Sequence, residues 1–170
     1  MTLADALRQL RVATDTLADV LSAVRVTVSE DHPDDASTLA IDELAEAMVE
    51  LAGEAETLRD RVRAVHDEAA EPSRRDTQRI VTLAQGTLND IADGLAERVL
   101  ARERLDEVER AASRGGLPWR SWWSATAHGL AECEPAVREV RDELFVCWRE
   151  LLEDSPANGR AATGALDKKP

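Results

Sequence analysis

Apolar positions recur at alternating steps of four and three residues through most of this 170-residue chain. That spacing leaves little but long helices packed side by side. The first run is Leu3, Leu7, Leu10, Thr14, Leu17, Leu21, Val24 and Val28. Side chains three and four apart share one face of an α-helix, whereas a strand shows a period of two. A second run passes through Leu44, Met48, Leu51, Ala55, Leu58, Val62, Val65 and Ala69, and a last one through Thr126, Leu130, Cys133, Val137, Val140, Leu144, Cys147 and Leu151. Between them, from about residue 73 to 112, lies a less regular stripe of Ile80, Leu83, Ala84, Leu88, Ile91, Leu95, Val99, Leu105 and Val108. It contains Gly86 and Gly94. Each glycine costs about 1 kcal/mol in a helix interior, so a bend or a close helix crossing is expected there.

The runs are separated by residues that stop helices. Pro33 follows Ser29, Glu30, Asp31 and His32, Pro72 follows Glu71, and Gly115-Gly116-Leu117-Pro118 form the clearest break. The fourth helix is expected from Ser121, with Pro135 off its seam as a kink that leaves the core face intact. Short connections favour antiparallel neighbours. The sequence therefore predicts an all-α fold of four long amphipathic helices in an up-down-up-down antiparallel four-helix bundle over residues 1–154, with a disordered tail over 155–170. At ~1.5 Å per residue the first helix is roughly 40 Å long and the third roughly 60 Å, so the third must break or overhang.

Composition agrees with helices, since aromatic residues make up only 3%, with one Phe and no Tyr. The net charge is -13, and the tail carries Arg160, Lys168 and Lys169 against Asp167, so residues 1–154 carry -15. Such a body repels phosphate backbones and anionic lipid, which argues against nucleic acid and membrane surfaces as partners. The N-terminal residues lack the basic start and apolar run of a secretion signal, and the expected compartment is cytoplasmic. Cys133 and Cys147 lie roughly 21 Å apart on one predicted helix, too far to bridge. They read as reduced core thiols.

The residue types that carry catalysis are not arranged for it. Ferritin-like di-iron sites need Glu-x-x-His on facing helices, which is missing here. His66 and His128 are followed three residues on by Ala69 and Ala131, not by the lysine of histidine phosphotransfer domains. Glu43-Leu44-Ala45-Glu46 matches only the first half of the magnesium motif of all-α nucleotide pyrophosphohydrolases. The pair His128 and Glu132 is too small a ligand set for a metal. The expectation is a chain without catalytic, metal or cofactor-binding residues.

Binding is a different matter. Trp119, Arg120, Trp122 and Trp123 cluster where the third and fourth helices meet, and Trp and Arg are enriched at interface hot spots. In an up-down bundle the same end carries the connection Glu30 to Asp35, so these rings either plug the bundle end or meet a partner. Phe145, Trp148 and Leu152 leave the end of the fourth helix with little polar face. Thr163-Gly164-Ala165-Leu166-Asp167-Lys168-Lys169 loosely resembles the docking peptides of encapsulin cargo, which would make the tail a docking segment; a plain disordered tail is the alternative. The expected function is a non-enzymatic helical interaction module, an adaptor, assembly factor or structural subunit, bound to a protein partner or to itself. The alternative is a four-helix domain that holds a small molecule or metal near Met48, Cys133 or Cys147, in a cavity with converging polar groups.

Overall fold

The computed structural model describes residues 1–33, 38–67 and 72–153. Among these residues the structure is all-α, with no strand. Helix α1 spans Leu3–Ser29, α2 Leu39–Asp67 and α3 Arg74–Gly94; a π-helical turn, Leu95–Val99, leads to α4, Arg102–Arg114, then α5, Leu117–Ala131, and α6, Cys133–Glu153.

The N-terminus of α1 is fixed by a capping box in which the Thr2 hydroxyl accepts the Asp5 N–H while the Asp5 carboxylate accepts the Thr2 N–H, both at 3.1 Å. Its seam is buried from Leu7 to Val28, and Leu3 is half-buried. Helix α1 packs on α2 and α6, and α3 packs on the same two, so one core cluster is shared by the four longest helices. Each buried Leu or Ile in that cluster contributes about 1.5–3 kcal/mol.

Polar pairs outside the core give the register. Arg11 is ion-paired with Asp67, Asp15 accepts from Arg63 Nε at 2.9 Å, and Ser22 donates to Glu56 at 2.6 Å. Residue numbers thus fall along α2 as they rise along α1. Farther along α2, Glu50 pairs with Arg98 at 2.6 Å and Glu43 with Arg104. The Arg74 guanidinium donates to the carbonyl of Leu151, a cation on the last turn of α6 where the helix dipole favours it.

Four continuous helices were expected, and the chain makes six α-helical segments and a π-helical turn among the described residues. The third segment breaks. In the π-helical turn the Leu100 N–H reaches back to the Leu95 carbonyl at 2.6 Å, and Ala101 then turns extended, with φ -57° and ψ 128°. Helix α4 beyond it buries only Val108 and Ala112. Leu83, expected in the core, is exposed.

The fourth segment starts at Leu117, four residues before Ser121. Gly116 has φ 88° and ψ -168°, a conformation open essentially to glycine alone, and Pro118 occupies the first turn of α5, where a missing N–H costs nothing. The segment then stops at Ala131, because Pro135 has no N–H for the Ala131 carbonyl. A turn at Glu132 intervenes, its N–H bonded to the Gly129 carbonyl at 3.1 Å. The core face runs on through the turn as expected, with Leu130, Cys133 and Val137 buried. Residue Ala69 and the tail expected over 155–170 lie outside the described residues.

A Cβ added at Gly94 would sit 2.6 Å from Leu51 Cδ2, so here the chain does use glycine for a close helix crossing. At Gly53 and Gly86 a Cβ would meet nothing within 4 Å. Gly53→Ala and Gly86→Ala are each expected to raise stability by about 1 kcal/mol in urea unfolding, whereas Gly94→Ala yields no such gain because Leu51 must move.

Candidate functional site

The tryptophans gather where α5 begins. Trp119 lies stacked on His32, with ring centroids 6.3 Å apart, and meets Trp122 edge-on at 5.5 Å. The Trp122 indole N–H donates to the Thr27 carbonyl at 2.8 Å, a carbonyl of the last turn of α1. Both rings are buried, and the buried Thr126 hydroxyl is satisfied by the Trp122 carbonyl at 2.8 Å. Trp119 and Trp122 thus close this end of the molecule and offer no ring face to a partner. Arg120 is exposed beside them.

Trp123 is half-buried and tilted against Trp122, with centroids 6.4 Å apart. It forms one wall of a groove of about 320 Å³ with Leu100, Leu105, Ala127, Leu130 and Glu134. A second groove of about 390 Å³ continues from Glu134 between the π-helical turn and α6, lined by Ala92, Asp93, Leu95, Ala96, Val137, Arg138 and Arg141.

Helix α6 carries the other group of expected binding residues. Phe145 is 67% exposed and Leu152 59%, while Trp148 is half-buried between them. Counting at 100° per residue, Glu134, Arg138, Arg141, Phe145, Trp148, Arg149 and Leu152 fall on one side of α6, clear of the core seam. All but Trp148 are exposed. The expected residues Phe145, Trp148 and Leu152 therefore lie together, on a face remote along α6 from the Trp119–Trp122 closure. Sequence reasoning passed over Glu134, Arg138 and Arg141, although their spacing of four and three with Phe145 marks a second stripe beside the seam.

Cys133 and Cys147 are fully buried, and burial pushes each thiol up to about 12, which leaves no reactive thiolate. Met48 is also fully buried in the core. The hydrogen bond from His66, followed by the charge of Arg11, holds the Asp67 carboxyl below the usual range. His128 lies 3.6 Å from Glu132, both exposed. Among the described residues, no group of three or more His, Cys, Asp or Glu side chains is placed to hold a metal ion, and no helix is long and apolar enough to cross a membrane.

Glu54 stands out in a groove between α2 and α3 that also contains Glu50, Leu58, Leu83 and Asp90. Its Oε2 is buried with no hydrogen-bond partner, and burial, then the charges of Asp90 and Glu50, raise its carboxyl above the ordinary value. A carboxyl whose folded pKa is raised binds its proton more tightly when folded. Its ionisation therefore lowers stability as pH rises through the unfolded and then the folded value. Glu54→Gln is expected to stabilise by a few tenths of a kcal/mol at neutral pH, a small effect because solvent screens the group. The gain should vanish on acidification, as the native carboxyl also becomes neutral; urea titrations of both forms at several pH values would measure it.

No family model, curated protein or solved structure matches this chain.

Proposed function

We propose that the chain is a non-enzymatic interaction module, an adaptor, assembly factor or structural subunit built as an up-down-up-down antiparallel four-helix bundle, and that it works through the outer stripe of α6. The observation that carries this reading is Phe145, 67% exposed, in line with Trp148 and the 59% exposed Leu152. Large apolar side chains aligned on successive turns remain in unfavourable contact with water until another surface covers them. The reversed order of partners along α1 and α2, and again along α2 and the α3–α4 segment, supports the bundle topology. Net charge disfavours nucleic acid and anionic membranes, so the partner is protein, a second copy included, and the compartment is cytoplasmic.

The test is affinity capture from an extract of the native cell, comparing the wild-type chain with Phe145→Ser/Leu152→Ser. Both positions are exposed, so the variant should keep its helical circular dichroism. Loss of specifically captured protein from the folded variant supports the α6 stripe. An unchanged set of captured proteins removes it.

A further inference from the structure

The α6 stripe has an internal order beyond its apolar residues. Read along the helix it begins with an acid, Glu134, passes Arg138 and Arg141, reaches Phe145 and Trp148, and closes with a base, Arg149, and Leu152. Neither Glu134 nor Arg149 forms an ion pair among the described residues. They lie roughly 22 Å apart. The ridge of Phe145 and Trp148 sits at one end of the stripe, and the groove of Ala92, Leu95, Ala96 and Val137, rimmed by the charged Asp93, Glu134, Arg138 and Arg141, sits at the other.

A surface with a ridge at one end, a groove at the other and opposite charges outside them is complementary to itself when turned end for end. We infer that a second copy of this chain covers the α6 stripe, the two helices running antiparallel about a two-fold axis at Arg141 and Asp142. This rests on the reading of that stripe as the interaction surface and names its occupant. In a two-fold pair each contact occurs twice. Glu134 of each copy faces Arg149 of the other, and Arg138 lies over the ring of the other's Phe145, where a cation–π contact is favourable. Trp148 enters the other copy's groove beside the π-helical turn, and Leu152 reaches toward Ala131 and the Trp123 groove.

Charge disfavours the register in which the two Phe145 rings meet. Sliding one helix past the other by seven residues, about two turns, so that the two Phe145 rings meet, sets Arg141 against Arg149 in both halves of the pair, and like charges brought together are strongly disfavoured. The contact follows one helix of 21 residues, roughly 31 Å long. Interfaces of that scale fall in the weak, reversible class, so the dissociation constant is expected on the order of tens of micromolar. Two bodies of net charge -13 also repel at long range, and measurement belongs at physiological ionic strength, where screening acts over ~8 Å.

The experiment is sedimentation velocity on the full chain from about 1 μM to about 1 mM, bracketing that constant. The variants are Glu134→Arg, Arg149→Glu, their double variant and an equimolar mixture of the two singles. All substituted positions are exposed, and circular dichroism verifies the fold. The wild type is expected to pass from monomer to dimer. Each single variant, with like charges at both ends of the pair, should weaken association at least about tenfold. The double variant and the mixture should regain it, because both restore two opposite-charge contacts. A wild type that stays monomeric throughout, single variants that dimerise like the wild type, oligomers beyond the dimer, or a mixture that stays monomeric would each overturn the inference. If no dimer forms while Phe145→Ser/Leu152→Ser still loses a captured protein, the interaction reading stands and only the second copy falls as its occupant.

Discussion

Trp122→Ala is expected to lower the stability of the chain by about 3–5 kcal/mol, the range for removing a large buried aromatic side chain. The indole is 5% exposed and packs edge-on against Trp119, and its N–H bonds to the Thr27 carbonyl near the end of α1. Truncation removes the apolar burial, the ring contact and the partner of a helix-terminal carbonyl together. Trp122→Phe keeps an aromatic ring and loses the donor, so it should cost less, with about 1 kcal/mol of its effect due to the hydrogen bond. Urea unfolding followed by helical circular dichroism avoids the loss of fluorescence that accompanies a missing tryptophan. A cost below about 1 kcal/mol for the alanine variant would mean that this end is loosely packed and that its rings are spared for something else.

Gly115→Ala should cost about 2–3 kcal/mol by overpacking, although it adds one methyl group and Ala is the better helix former. The backbone at Gly115, φ -84° and ψ -3°, suits any residue. The obstacle is the neighbouring ring, because a Cβ there would lie 2.1 Å from Trp119 Cδ1 and 2.4 Å from Cγ. Trp119 cannot give way cheaply, being held between the stacked His32 and the edge of Trp122. A double-mutant cycle separates this cause from any backbone effect. In a Trp119→Ala background the cost of Gly115→Ala should largely disappear, a coupling of about 2–3 kcal/mol. An undiminished cost would place the strain in the backbone.

The helices themselves were legible because their seams are regular. Every seam residue from Thr126 to Leu151 is buried, as is the α1 seam from Leu7 to Val28. The eight positions of the last seam stayed in phase across the turn at Glu132, which is why two helices read as one. Pro135 carried the information that a backbone bond is missing, but a kink and a full stop look alike in sequence. The break after Val99 was illegible for another reason. A π-helical turn differs from an α-helical one by which carbonyl an N–H selects, and Leu95 to Val99 contain no residue that dictates the choice. In sequence Pro118 looks like the end of a break, whereas in the structure it lies in the first turn of a helix, and Gly116, two residues before it, decides the matter through its positive φ.

For the candidate site, residue types were legible and exposure was not. Trp119, Trp122, Phe145 and Leu152 all read as large apolar side chains near helix ends. Only packing separates the first two, buried under His32 and α1, from the last two, which face outward. Glu134, Arg138 and Arg141 read as ordinary wet-face charges until their groove and their alignment with Phe145 are seen together.

The π-helical turn has a consequence for how the chain can change length. Register carried up α3 from Ile80 ends at Leu100, and α4 begins from a fresh start at Arg102. The phase of α4 is therefore not inherited from α3, whereas α5 is tied to α1 through Trp122 and shares its seam with α6. Inserted or deleted residues between Leu100 and Arg102 are taken up by α4, which buries only Val108 and Ala112, whereas the same change in the middle of α1 or α2 would rotate every later seam residue of that helix away from the core.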